Sequence, residues 1–200
     1  MYNRIQKIIE YKPMIIAICG PKRSGKDTIA DHLITKYNYE KIKIADPLKM
    51  IVKDLFGFTE NQVGETDDKD IIDERWGITP RKALQFFGTE VMQYKIQELL
   101  PGIGRKFWIN RLIDSSISNP IDNQKYVISD LRFLHEYEEL YKKTKDNLCI
   151  IKVFRPDNND EKETHVSELE YKGIKEDILI INDGNIEDLL VKLDNALSRK

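Results

Sequence analysis

The stretch that most constrains the fold is an apolar run, PMIIAIC (13–19), that feeds directly into GPKRSGKDT (20–28). The run is Ile-rich and does not alternate, which is the pattern of a strand covered on both faces. The segment behind it carries Gly20, Gly25 and Lys26 in the spacing G-x-x-x-x-G-K, and a helical pattern starts within it. Strand, glycine turn and helix in that order place consecutive backbone N–H groups and a helix N-terminus at the end of the strand. Glycines let that backbone approach an anion closely. Lys26 adds a mobile point charge that reaches phosphate, and Lys22 and Arg23 add more positive charge. The sequence thus predicts a phosphate-cradling loop. A bare glycine turn is the plainer reading, and the strand-to-helix context speaks against it.

Asp27 departs from the strict pattern, which has a hydroxyl residue at that position; Thr28 follows it. Three settings stay open for Asp27. It faces a nucleotide with Mg²⁺ offsetting the repulsion, directly or through a water. It faces the acceptor side and accepts hydrogen bonds there. Or it only favours the helix N-terminus electrostatically.

Three further runs read as buried parallel strands: YVISD (126–130), LCIIKVF (148–154) and DILIIND (177–183), with KIKIA (41–45) as a shorter candidate. Helical patterns lie between them over 25–37, 105–118, 133–144 and 185–198. DPLKMIVKDLF is expected to start with Asp46 as N-cap and Pro47 at the first helical position, and TPRKALQFFGTEVMQYKIQEL with Thr79 and Pro80. Alternating strands and helices imply an α/β, three-layer α/β/α fold around a central five-stranded parallel sheet. Ligands of such sheets sit beyond the carboxyl ends of the strands. Polar residues stand at several of those ends: Gly20 onward, Ala45–Asp46, Asp130–Arg132 and Arg155. Segments 58–77 and 155–168 read as long loops, candidates for substrate-closing movement.

The chain of 200 residues is expected to form one domain, with inserted substrate-binding helices over about 46–118 and a lid-like loop at 155–168. With 34 acidic against 32 basic residues, the net charge of −2 argues against nucleic acid as a partner. No apolar run nears the ~20 residues of a membrane span, and the first residues lack a signal-type apolar core. Cys19 and Cys149 each sit inside an apolar run and read as buried core thiols, without metal or disulfide spacing. The cytoplasm is the expected compartment.

Other polar constellations point to an anionic, planar ligand. Arg81, Gln85 and Gly88 are spaced i, i+4, i+7 and share one face of a regular helix. A cation, an amide and a missing side chain make a plausible floor for a phosphorylated ligand, whereas Leu84, Phe87 and Val91 form the core face. The plainer reading of Arg81 is a surface ion pair. Asp130 ends a strand and Arg132 follows: Arg132 suits phosphate contact, and Asp130 suits a hydrogen bond, a Mg²⁺ water, or an N-cap. GRKFWINR offers Arg105 and Trp108; the ring reads either as core or as a platform for a base. His165 and Glu168 have no Cys or His cluster beside them, which leaves metal ligation unsupported.

Together these segments resemble the deoxynucleoside monophosphate kinases of large DNA bacteriophages. Seven features carry the resemblance in order: GPKRSGKDT; ADPLK at 45–49; PRKALQFFGTE at 80–90; RKFW at 105–108; VISDLR at 127–132 with His135 and Glu136 beyond; RPDNNDEKETHVSE at 155–168; and INDGNIEDLL at 181–190. The resemblance implies the P-loop kinase fold and transfer of the γ-phosphoryl of ATP, with Mg²⁺, to a deoxynucleoside monophosphate. It implies donor contacts from Lys22, Arg23, Ser24, Gly25, Lys26, Asp27 and Thr28. It implies acceptor contacts from Lys49, Arg81, Gly88, Thr89, Trp108, Asp130, Arg132 and Glu136. Departures are Phe133 and Leu134 at positions where the phage pattern is polar and a shorter segment over 58–77; the segment 155–168 has a single arginine, unlike the arginine-rich lid of adenylate kinases.

Lys26, Arg132 and Asp27 are the catalytic candidates, with Arg155 beside the donor. Lys49 and Arg81 would hold the acceptor's phosphate, with Gln85 and Arg105 as further acceptor candidates. Asp27 and Asp130 are the metal candidates, through water. A homodimer is left open, and abundant Ile, Lys, Asn and Asp fit an AT-rich, viral source and hence a host cytoplasm. Competing readings are a phosphomevalonate kinase, which shares a GKD loop and a strand-end Asp-x-Arg, a non-catalytic ATP-binding module, and a nucleic-acid 5′-kinase.

Overall fold

Five strands hydrogen-bond into one parallel sheet: β1 (Ile15–Cys19), β2 (Glu40–Ile42), β3 (Tyr126–Ile128), β4 (Leu148–Phe154) and β5 (Ile178–Ile181), in the spatial order β2-β3-β1-β4-β5. This computed structural model describes residues 14–118, 124–156, 166 and 169–198. All four pairings are parallel; Ile15 registers with Tyr126 on one side and with Leu148 on the other. Each of the five runs expected to be strands therefore supplies one. β1 and β3 are buried throughout, as their unbroken apolar runs predict. β5 is different: Leu179 and Ile181 are exposed, because β5 is an edge strand and buries only part of its surface.

Two of the helices flanking these strands build the core with them. Helix α1 (Lys26–Tyr37) follows β1 at once and buries Ile29, Ala30 and Leu33; the last helix, Ile186–Ser198, buries Leu189 and Leu193. These side chains pack with Ile16, Ile18, Val127, Ile151, Val153 and Ile180 in one cluster. Cys19 and Cys149 are fully buried free thiols, and burial pushes the Cys19 thiol up to about 12, so it stays protonated and inert. A polar tie joins the same two helices. Asp194 accepts hydrogen bonds from Lys36 Nζ at 2.7 Å and Tyr37 OH at 2.8 Å, and its Oδ1 lies 2.9 Å from His32 Nε2.

The described residues fall into two compact units, one within Met1–Lys43 and Leu112–Lys200, the other Ile44–Arg111. The sheet belongs to the first. The second overlaps the insertion expected over about 46–118 and has its own small core of Val52, Phe58, Val63 and Ala83, backed by Leu48, Phe56 and Phe87. It opens with α2 (Asp46–Phe56), whose N-cap is Ala45 rather than Asp46; Asp46 is the first helical residue and Pro47 follows it. Thr79 caps α4 (Pro80–Gln85) as expected, its side chain accepting from Lys82 N at 3.2 Å.

Segment 58–77 is not the structureless loop that its polarity suggests. It contains a short helix α3 (Glu60–Val63) with a Thr59–Gln62 capping box and a 3-10 turn at Asp67–Asp70. Asp73 gathers the rest, accepting from Arg75 Nε at 2.9 Å, Arg75 Nη2 at 2.7 Å and Gln62 Nε2 at 3.0 Å. Hydrogen bonds from Arg75 and Gln62 hold its carboxyl well below the usual range. Most of the lid-like segment expected at 155–168, including His165 and Glu168, lies outside the described residues.

Candidate active site

The strand order creates a switch point. The chain leaves β1 towards β2 on one side, and leaves β3 towards β4 on the other, so the two connections part at the carboxyl ends of β1 and β3. The glycine loop follows β1 and the Ser129–Arg132 segment follows β3. Ser129 Oγ of the second lies 3.4 Å from Asp27 Oδ1 of the first.

The loop's backbone is one that few residues tolerate. Gly20 has φ 146° and lies so close to β4 that a Cβ there would come within 2.2 Å of the Val153 carbonyl oxygen. Arg23 also takes a positive φ, 60°, which an L side chain adopts at a cost of about 1–3 kcal/mol. Ser24 N donates to Pro21 O at 3.3 Å and closes the turn. The Ser24 hydroxyl is buried and has no hydrogen-bond partner among the described residues. Lys26 Nζ folds back over the loop and donates to the Pro21 carbonyl at 2.6 Å.

The setting of Asp27 includes two residues that the sequence reading passed over. Its Oδ1 lies 3.0 Å from Lys41 Nζ and 3.5 Å from Lys43 Nζ. Lys41 also meets Asp31 at 3.0 Å. Two carboxylates and two ammonium groups thus balance beside the loop, and the chain itself supplies positive charge that offsets Asp27 there. Lys41 lies in β2 and Lys43 directly after it; at i and i+2 of an extended run they share a face, and that spacing was the available signal.

A cavity of about 490 Å³ opens at the loop, lined by Arg23, Gly25, Lys26, Asp27, Thr28 and Arg155, and by residues at and after the end of β5 from Asn182 to Leu189. Of the predicted donor set, Lys22 and Ser24 belong to the loop without lining this cavity. Asn182, Asn185 and Ile186 were not predicted, although a strand's carboxyl end was the right place to look.

Beyond β3, Glu136 is buried at the start of α5 (Leu134–Thr144). Its Oε2 accepts the backbone N–H of Arg132 and of Phe133, both at 3.0 Å, so in this structure it shapes the elbow that carries Arg132. Burial pushes its carboxyl up to about 7, against the pull of those two N–H groups; the negative charge of Asp130 adds to the rise and Arg132 opposes it.

In the unit Ile44–Arg111, several of the predicted acceptor residues have partners within the same unit. Lys49 Nζ meets Glu65 Oε1 at 2.6 Å, and Arg81 grips Asp70 through Nε and through Nη2, the latter at 3.1 Å. Two of its cations therefore face carboxylates, groups whose charge and oxygen geometry resemble those of a phosphate. Past Gln85 the helix widens into a π segment, Phe86–Tyr94. The i, i+4, i+7 rule for Arg81, Gln85 and Gly88 does not carry across that change of pitch. Gly88 has a packing reason: a Cβ would come 2.6 Å from Leu48 Cδ2. Its carbonyl accepts Trp108 Nε1 at 3.0 Å. Trp108 is 6% exposed, so here the ring packs and props Gly88. Thr89 is buried as well, and Arg105 Nε donates to the buried Gln93 at 3.0 Å.

The sheet order, the glycine loop behind its central strand and the charged segment behind β3 define the class: this is a P-loop kinase-type α/β protein. The family model described as deoxynucleotide monophosphate kinase matches residues 14–71 and 58–193. A protein of Acanthamoeba polyphaga mimivirus, provisionally named a deoxynucleotide monophosphate kinase, is 34% identical over 194 residues, covering 92% of this chain and 97% of that one. The deoxynucleotide monophosphate kinase of Enterobacteria phage T4 is 23% identical over 240 residues, covering 92% and 98%. Among solved structures, the dephospho-CoA kinase from Campylobacter jejuni matches with a TM-score of 0.44 at 11% identity, covering 92% and 95%. The chain belongs to the deoxynucleotide monophosphate kinase family, a family of phosphotransferases.

Proposed function

We propose that the protein transfers the γ-phosphoryl group of ATP to deoxynucleoside monophosphates, giving the diphosphates and ADP. The observation that carries this reading is the Asp27–Ser129 contact, which sets the loop after β1 against the segment that bears Asp130 and Arg132. Phosphoryl transfer asks the protein for placement and charge neutralisation rather than covalent chemistry. Both ingredients are at that switch point.

The loop suits a triphosphate. Gly20 leaves no room for a side chain, and the buried Ser24 hydroxyl lacks a partner among the described residues. Lys26 Nζ donates to a neutral carbonyl; phosphate oxygens, which carry full negative charge, would add ion-pair attraction to the hydrogen bond and draw it towards them. Arg155, exposed on the cavity wall, adds to the positive charge of Arg23 and Lys26 on the donor side. Arg132 would meet charge on the transferring group. A separate general base is unnecessary, since an acceptor phosphate is already an anionic nucleophile.

Asp27 and Asp130 offer the hard oxygen donors that Mg²⁺ prefers, and Mg²⁺ commonly takes its remaining ligands from water and phosphates. Among the described residues no group of three or more His, Cys, Asp or Glu could hold a metal. When bound, Mg²⁺ would neutralise charge on the phosphate oxygens.

For the acceptor, Lys49 and Arg81 would exchange Glu65 and Asp70 for its phosphate. Gln85, Gly88, Thr89 and Arg105 would shape that floor, Trp108 would support it through Gly88, and Glu136 would act by fixing the Arg132 elbow. Among the described residues no helix is long and apolar enough to cross a membrane. Action in a host cytoplasm, possible pairing as a homodimer and the absence of a nucleic-acid partner belong to the same proposal. ADP release from Mg²⁺–ATP with a panel of deoxynucleotides, ribonucleotides and phosphomevalonate tests it: turnover with deoxynucleoside monophosphates is expected, and turnover with phosphomevalonate alone overturns it.

A further inference from the structure

Asn182, immediately after β5, reaches across 158 positions of sequence to the glycine loop. Its backbone N–H donates to the Phe154 carbonyl at 2.7 Å, which anchors it to the last residue of β4. Its side chain is buried, and Nδ2 donates to the Ser24 carbonyl at 2.9 Å. The amide also comes close to the next residue: a Cβ on Gly25 would stand 2.9 Å from Nδ2 and 3.0 Å from Leu189 Cδ2. Gly25, at φ 106°, is both the last loop residue and the N-cap of α1.

Peptide geometry gives this contact a consequence. The Ser24–Gly25 peptide is trans, and in a trans peptide the C=O and N–H point in opposite directions. A Ser24 carbonyl held towards Asn182 leaves the Gly25 N–H turned to the opposite side. Without the amide donor, that carbonyl would be a buried acceptor lacking its bond, and rotation of the peptide plane would relieve it. The N–H directions along such a loop are what bind an anion.

We infer that Asn182 is a positioning residue for the donor phosphates: its side chain sets the Ser24–Gly25 peptide plane and so keeps the loop in its anion-receiving form before a ligand arrives. This rests on the donor-site reading of the loop. The benefit is preorganisation, since a loop already in its bound shape loses less freedom on binding.

The test uses the full chain with Asn182→Ala and Asn182→Asp. Binding of ATP and of inorganic tripolyphosphate, which lacks base and ribose, is measured by calorimetry. Thermal unfolding and the acceptor KM are measured beside it. Both variants are expected to remain folded at the assay temperature, to weaken both ligands by a similar factor of roughly 5- to 100-fold, and to leave the acceptor KM within about twofold. A loss confined to Asn182→Asp would indicate charge repulsion and overturn the inference. So would wild-type affinity in both variants, or a loss for ATP without one for tripolyphosphate. If either variant unfolds, Asn182→Ser is measured under the same criteria. A wild-type chain that binds neither ligand removes the donor-site reading itself, and this inference with it.

Discussion

Lys41 Nζ stands 3.0 Å from Asp27 Oδ1, and this pair offsets the charge of a carboxylate beside the glycine loop. Lys43 approaches the same oxygen at 3.5 Å. Asp27 is about half exposed, so the pairing is a local charge balance, worth little to stability. Its effect belongs to anion binding. Replacing both lysines by methionine should raise the ATP KM by about 3- to 10-fold, the effect of roughly 1 kcal/mol. The same replacements should matter less when Asp27 is already asparagine. A double-mutant cycle measures the coupling, and strict additivity would count against it.

Lys26 and Arg81 are assigned to different halves of the reaction. Lys26→Ala should lower kcat by roughly 10²–10³-fold, the usual effect of losing one transition-state donor, with the acceptor KM little changed. Arg81→Ala should mainly raise the acceptor KM. Steady-state kinetics with each substrate varied in turn checks the division; the reverse pattern would refute it.

Glu136 makes a pH prediction. Its carboxyl is shifted from 4.5 up to about 7 in the folded chain, chiefly by burial. Between those values the folded state holds the proton more tightly than the unfolded one. The associated stability is therefore fully present below pH 4.5 and is lost as pH rises through about 7, by up to about 3 kcal/mol. Glu136→Gln keeps an oxygen for the N–H groups of Arg132 and Phe133. It should flatten this part of the stability–pH profile, as denaturant titrations from pH 4.5 to 8 would record.

Asp194 behaves in the opposite sense. Burial alone would raise its carboxyl, but hydrogen bonds from Lys36, His32 and Tyr37 outweigh that and hold it at about 2. Its contribution is present above the ordinary value of 3.8 and disappears as pH falls through about 2. Asp194→Asn should cost about 1–2 kcal/mol at neutral pH. It should leave both KM values unchanged, because Asp194 lies in the last helix, paired with the C-terminal part of α1. Thermal melts and kinetics on the same preparation separate the two effects.

Much of this was legible in the residues, for identifiable reasons. The runs of β1, β3 and β4 were legible as strands because burial on both faces leaves a nearly unbroken apolar pattern. The Thr79-Pro80 start became a capped helix because capping is local chemistry. The misses are equally physical. Exposure of Leu179 and Ile181 depends on which strand ends at the sheet edge, which no local pattern records. The π segment after Gln85 shifts a face that regular helix arithmetic had drawn. Polar 58–77 looked like open loop because Asp73 collects its hydrogen bonds from side chains up to 11 positions away. Lys41 and Asn182 escaped notice for a different reason: each lies far along the chain from the loop residue that it serves.

The account stands most directly on one assay: ADP release by the purified chain with Mg²⁺–ATP, with and without deoxynucleoside monophosphates, run beside Lys26→Ala. It predicts release that depends on the deoxynucleotide and falls by about two orders of magnitude in the variant. Release that ignores the deoxynucleotide, or that survives loss of Lys26, would contradict it.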